Sequence, residues 1–182
     1  GIGMTVLQLP GGEIQPAMKT GLIDAAEFNN PSSDRNFGMQ DVSKFYSLGS
    51  FHQSQEMFEI TFNKKKFDSL SKQHQNILRI AAEAANTDNY WYALKRYSDD
   101  LNKLVAESGV KPFATPKDIL AEQMKSWDKV IADFSSKDPL FKKIVDSQKA
   151  YAKSVMKYLL LNQPDYSIAF RNTFGDPANV KV

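Results

Sequence analysis

Apolar positions follow two rhythms along this chain: short extended runs up to about residue 68, then helical spacing for almost all that remains. Residues 5–9 read as a strand stopped by Pro10-Gly11-Gly12, a tight turn. Glu13 opens a helix reaching about Thr20, where a carboxylate complements the positive end of the helix dipole. Gly21 is its stop, a place that favours positive φ. Residues 22–28 form a second extended run that feeds a polar loop, residues 29–33. Two more extended runs, 46–51 and 57–63, flank a second polar loop, His52-Gln53-Ser54-Gln55. Strand, helix and strand in this order make an α/β unit. In open α/β sheets ligands sit beyond the carboxyl ends of strands, so Glu27, Phe28 and Asn29 lie where a site is expected, with the His52 loop as their counterpart.

Beyond Asp68, Ser71 can cap a long Ala-rich helix whose apolar positions Ile77, Leu78, Ala81, Ala85, Trp91, Leu101, Leu104 and Val105 recur at helical spacing until Gly109, with a break expected near 86–89. Residues 111–114 read as a short strand. Thr115-Pro116-Lys117-Asp118 is a helix start, with Thr as cap, Pro at the first helical position and an acid in the first turn. That helix has Leu120, Met124, Trp127, Ile131 and Phe134 on one face. Asp138-Pro139 repeats the signal and opens a helix with an apolar stripe from Phe141 to Leu159, roughly 30 Å long from the rise per residue. Such a stripe needs a partner surface, either its own domain or a symmetry mate. Residues 166–174 extend the helical pattern as a docked tail, and 176–182 read as loose.

Composition narrows the chemistry. The 182 residues are 42% hydrophobic and 24% charged, the balance of a folded globular chain rather than a disordered one. The 23 basic and 21 acidic residues interleave, and the one basic run, Lys64-Lys65-Lys66, reads as a solvated strand end; nucleic acid would ask for a larger basic patch. No Cys is present, which removes thiolate nucleophiles, CxxC redox chemistry, thiolate zinc sites and disulfides together. The two His, 52 and 74, have no metal-binding spacing, and no Gly-x-Ser-x-Gly elbow occurs. Gly11-Gly12 lacks the rest of a phosphate-binding motif and is explained by a turn. Tyr90-Trp91-Tyr92 cannot form one stacking face, because consecutive helical residues point about 100° apart; packing between helices accounts for it.

The run Leu9-Pro-Gly-Gly-Glu-Ile-Gln-Pro-Ala-Met-Lys-Thr-Gly-Leu-Ile-Asp-Ala-Ala-Glu-Phe28, then Val42-Ser-Lys-Phe-Tyr46, His52-Gln53, Phe58-Glu-Ile-Thr-Phe-Asn63 and the helix at 70–85, resembles the extracytoplasmic solute-binding receptors of tripartite ATP-independent periplasmic (TRAP) transporters. The likeness is strongest to the subgroup that receives 2-oxo acids and related small carboxylates. It implies an α/β, periplasmic-binding-protein-like fold (type II, two-lobed), helix-rich after residue 68. Residues 1–68 would be a lobe portion with ligand-site loops, 69–135 a helical and α/β lobe portion, and 136–182 a long C-terminal helix and tail, a candidate dimerisation element.

The resemblance further implies a periplasmic receptor, not an enzyme, that binds a small 2-oxo or 2-hydroxy carboxylate and hands it to TRAP membrane permease subunits. Glu27, Phe28 and His52 would contact the solute. A Na⁺ or Ca²⁺ ion would be held by the Glu27 side chain, the Phe28 main-chain carbonyl and the Gln53 side chain, oxygen donors suited to a hard cation. No organic cofactor and no nucleic acid are implied; a homodimer through the helix at 139–161 is the possibility that its apolar stripe raises. Relatives of this kind often have Trp after the acid and an acid after the His, where this chain has Phe28 and Gln53. The chain opens Gly1-Ile-Gly-Met without initiator Met or leader, so it is expected to be the later part of a longer protein, with the carboxylate-pairing arginine of the family ahead of Gly1. The competing reading is a helical interaction or scaffold protein with no small-molecule ligand.

Overall fold

A computed structural model describes residues 3–51 and 58–177. The elements run α1 (Gly11–Thr20), α2 (Pro31–Asn36), a 3₁₀ turn (Met39–Asp41), β1 (Phe45–Leu48), α3 (Lys64–Asp68), α4 (Lys72–Ser108), β2 (Lys111–Ala114), α5 (Lys117–Lys137), α6 (Pro139–Asn162) and α7 (Tyr166–Phe174). They divide into two compact units. One takes in Leu7–Tyr46 and Gln55–Lys111; the other takes in Gly1–Val6, Ser47–Ser54 and Pro112–Val182.

β1 and β2 form a two-stranded sheet. Lys111 N donates to Lys44 O at 2.7 Å and Thr115 N to Leu48 O at 3.3 Å; the two numberings rise together, so the strands run parallel. A parallel pair needs a long crossover, which α3 and α4 supply.

In the unit holding α1 to α4, α2 packs on α4. α4 is one uninterrupted helix of 37 residues, about 55 Å long by the rise per residue. The break expected at 86–89 does not occur. That stretch contains neither Pro nor Gly, and Thr87 Oγ1 donates back to Glu83 O, a bond made within the helix. Ser71 caps its start by accepting from His74 N at 3.2 Å. Gly109, at φ 66°, ends it, with Val110 N donating to Leu104 O at 3.1 Å. Lys44 Nζ donates to Ser108 O at 3.0 Å, placing a cation on the negative end of the helix. In the other unit α5 packs on α6 through buried Ile131 and Val145 and through Phe134 and Phe141, whose ring centres lie 5.5 Å apart.

Several local expectations fail in instructive ways. Residues 5–9 and 22–28 are not strands, and neither are 58–63; the remaining residue of that third run, Met57, lies outside the described residues. A strand exists only with a neighbour to complete its hydrogen bonds, and among the described residues these runs have none. Their apolar side chains stand exposed, Val6 at 87% and Phe58 at 80%. Of the run 46–51 only its first half pairs, as β1. Gly11 and Gly12 are the first residues of α1 rather than a turn. Lys64-Lys65-Lys66 is a helical turn capped by Asn63, whose side chain accepts from Lys66 N, not a strand end. Residues 29–33 are not all loop, because Pro31 starts α2. Tyr90, Trp91 and Tyr92 are each at least 60% exposed, so they do not pack between helices within their unit.

The two proline signals also diverge. Thr115 does not cap α5; Pro116 occupies the cap position without a side-chain bond. The Thr115 hydroxyl is bonded to Ser47 Oγ at 2.8 Å and to the Gly49 carbonyl, which ties it to the chain leaving β1 instead. Asp138 behaves as expected, accepting from Leu140 N at 2.8 Å and Phe141 N at 3.1 Å with Pro139 at the first helical position. Asp138→Ala is therefore expected to cost about 1 kcal/mol of stability, checked by urea unfolding followed by circular dichroism.

Candidate functional site

Glu27 and Phe28 sit on the segment between α1 and α2. Gly21, at φ 75°, turns the chain out of α1, and Leu22 N closes that end on Ala17 O at 2.9 Å. The segment then runs without regular secondary structure to Asn30, whose side chain accepts from Ser32 N at 3.1 Å and Ser33 N at 3.0 Å and so starts α2. Glu27 is exposed. The Phe28 ring is half-buried, edge-on to Phe37 at 5.0 Å between centres and lying where a side chain on Gly11 would touch it at 3.4 Å. The ring is thus an anchor for the segment, and the segment carries two oxygen donors of interest, the Glu27 carboxylate and the Phe28 carbonyl. His52 and Gln53 lie outside the described residues.

What holds this segment is a polar layer that the sequence reading did not single out. Asp34, on α2, is buried. Its Oδ1 accepts from Asn29 N at 3.2 Å and its Oδ2 from Tyr46 Oη at 2.7 Å. Burial pushes the Asp34 carboxyl above its ordinary value, the bonds to Tyr46, Asn29 and Asn30 pull it down, and the nearby Glu27 charge pushes it up. Burial and the Asp34 bond raise the Tyr46 phenol far above its usual range, so it stays a donor.

Asp100, on α4, is the second buried acid. It accepts from Ser32 Oγ at 2.6 Å and is paired with Arg96 Nε at 3.3 Å, Lys103 Nζ at 3.6 Å and Arg35 Nη1 at 3.9 Å. The Ser32 bond, with Arg96 and Lys103, outweighs burial and holds the Asp100 carboxyl below its ordinary value. Arg35 Nη2 also donates to Glu107 Oε2 at 2.9 Å, a second tie from α2 to α4. Asn30-Pro31 was the available signal for α2, an Asn cap followed by Pro. Nothing in the sequence marks Asp100 apart from its neighbour Asp99, because burial of one and not the other depends on what packs there.

An open groove of about 220 Å³ between α2 and α4 is lined by Asn30, Ser33, Asn89, Tyr92 and Arg96 among others. Arg96 already donates to Tyr92 Oη at 2.9 Å as well as to Asp100. Among the described residues no three of His, Cys, Asp and Glu are grouped to hold a metal ion, so a cation here cannot rely on acids alone. A carboxylate and a main-chain carbonyl are hard oxygen donors and fit Na⁺ or Ca²⁺ in kind. Among the described residues no helix is long and apolar enough to cross a membrane.

Residues 1–138 match the family described as bacterial extracellular solute-binding protein, family 7 (DctP), and the chain belongs to that family. The family is one of transport receptors rather than enzymes. The chain is 29% identical over 167 residues to a monocarboxylate 2-oxoacid-binding periplasmic protein of Nostoc, an alignment covering 91% of this chain and 45% of that one. Among solved structures it is similar to a TRAP periplasmic solute-binding protein of Colwellia psychrerythraea with bound calcium and pyruvate, at TM-score 0.79 and 26% identity over 91% of this chain and 50% of that one. It is similar also to a TRAP periplasmic solute-binding protein of Pseudoalteromonas atlantica with bound sodium and pyruvate, at TM-score 0.71 and 25% identity over 92% and 50%. The chain thus spans about half the length of these relatives. The α/β, helix-rich fold is part of the two-lobed TRAP receptor fold, as the resemblance implied.

The two buried acids titrate in opposite senses. Asp100, held low, contributes stability that is present above its unfolded value near 3.8 and is lost as pH falls through its folded value. Asp34, held high, contributes stability present below 3.8 and lost as pH rises through its folded value. Asp100→Asn is expected to cost about 2 kcal/mol at pH 7 and to lessen the loss on acidification, whereas Asp34→Asn leaves pH 7 stability unchanged or higher. Urea unfolding between pH 3 and 7 checks both.

Proposed function

We propose that this chain is part of a periplasmic receptor that binds a small 2-oxo or 2-hydroxy carboxylate beside a Na⁺ or Ca²⁺ ion and delivers it to TRAP membrane permease subunits. The observation that carries the reading is the likeness over nine-tenths of the chain to a receptor with calcium and pyruvate bound, joined to a Glu27–Phe28 segment whose far end is fixed by the Asn29 and Asn30 bonds. In this reading the Glu27 side chain, the Phe28 carbonyl and the Gln53 side chain hold the cation. Glu27, Phe28 and His52 line the solute. The physical logic is charge: a carboxylate taken out of water needs positive charge beside it, and a cation held by Glu27 supplies it.

The proposed division of labour puts the ligand-site loops in residues 1–68, the supporting lobe in 69–135 and a dimerisation element in 136–182. The last part is supported by α6. Its apolar stripe splits into two rows: Phe141, Val145, Val155 and Leu159 are buried or half-buried, while Ile144, Tyr151 and Tyr158, seven residues apart, stay exposed, Tyr151 at 72%. A row at heptad spacing suits a second helix of the same kind.

Two measurements test these readings. Ca²⁺ with pyruvate is expected to raise the melting temperature of the 182-residue chain, and Glu27→Ala to abolish the rise; no response to either cation in the wild-type chain sinks the reading. Light scattering on a sizing column at tens of micromolar is expected to give a dimer that Tyr151→Glu converts to monomer; a monomer throughout removes the dimer.

A further inference from the structure

The Phe28 carbonyl and the Asn29 N–H belong to one peptide group. No described peptide bond is cis, so the two point in opposite directions from the same plane. The Asn29 N–H is held by Asp34 Oδ1 at 3.2 Å. Whatever fixes that N–H also fixes the direction of the Phe28 oxygen, and a hydrogen bond donated by one end of a peptide increases the negative charge on the oxygen at the other.

We propose that Asp34, steadied by Tyr46, is a positioning residue that aims the Phe28 carbonyl and strengthens it as a cation ligand. The inference rests on the cation reading above and adds to it the group that sets the ligand. Asp34 is suited to the task because it cannot swing. Its second oxygen accepts from Tyr46 Oη at 2.7 Å, α2 places its backbone through the Asn30 cap and Pro31, and the residue is buried. The Phe28 ring, set against Phe37, fixes the other side of the same peptide, leaving its carbonyl little freedom to rotate. Glu27, one residue earlier, supplies charge; Asp34 supplies direction from behind.

The hydrogen bond and the bare charge of Asp34 separate by substitution. Asp34→Ala deletes the acceptor. Asp34→Asn keeps an oxygen for the Asn29 N–H, its amide can donate to Tyr46, and only the charge is lost. Ca²⁺ alone is titrated into the 182-residue chain by calorimetry, with the ¹³C shift of the Phe28 carbonyl and the exchange rate of the Asn29 amide followed by NMR.

The expected result is a Phe28 carbonyl shift on Ca²⁺ addition in the wild-type chain. Asp34→Ala is expected to lose about tenfold in affinity, the usual cost of removing a group behind a ligand, with faster Asn29 exchange and a weakened Phe28 response. Asp34→Asn should recover most of that loss. Equal affinity in wild type and Asp34→Ala overturns the positioning role and leaves the cation reading intact. Asp34→Asn as weak as Asp34→Ala shows that charge alone acts, which also overturns it. A wild-type Phe28 carbonyl that ignores Ca²⁺ overturns both readings together. If Asp34→Ala does not fold, Tyr46→Phe decides: it leaves α2 and its cap untouched and is expected to weaken Ca²⁺ binding in the same direction, while an unchanged affinity and Phe28 shift overturn the proposal.

Discussion

Two carboxylates taken out of water, Asp34 and Asp100, set the geometry of the unit that contains the candidate site. A buried carboxylate is costly unless its oxygens are met by donors, and this requirement is directional where apolar burial is not. Asp100 draws Ser32 and Arg35 of α2 onto α4, beside its own-helix partners Arg96 and Lys103. Asp34 draws in Tyr46 at the start of β1 and the Asn29 amide at the end of the Glu27 segment. A six-residue helix thereby connects the long helix, the strand and the site segment.

The apolar contribution to the same unit is small, which is why the acids matter so much. Among the described residues the buried apolar side chains are Ala17, Pro31, Leu104 and Val110 here, and Ile131 and Val145 in the α5–α6 unit. Leu104 and Val110 flank the left-handed turn that ends α4, so they secure that corner rather than the α2 segment. Apolar contacts of this size hold elements together without fixing their register, since the hydrophobic effect rewards area and not direction. The bonds from Ser32, Arg35 and Tyr46 supply the register.

What the sequence made legible follows the same division between local and non-local. Ser71, Asp138, Gly21 and Gly109 work as read, because a cap or a left-handed stop is decided by bonds to residues two to six positions away. The runs 5–9 and 22–28 were misread because extended backbone becomes a strand only beside another, and no alternation of side chains reveals whether a neighbour is there. Thr115-Pro116 failed for a related reason: its hydroxyl had a better partner 68 residues away in Ser47. The site shows the same limit. Glu27 and Phe28 could be singled out from their position and from family resemblance, whereas Asp34 and Asp100 gave no local sign of burial.

Asp34 also sets burial against hydrogen bonding. Its carboxyl is pushed up by burial and by the charge on Glu27 and pulled down by the bonds from Tyr46, Asn29 and Asn30, and burial prevails. What the position requires is an acceptor for the Asn29 N–H and a partner for the Tyr46 hydroxyl, and an amide would meet both with no charge to bury.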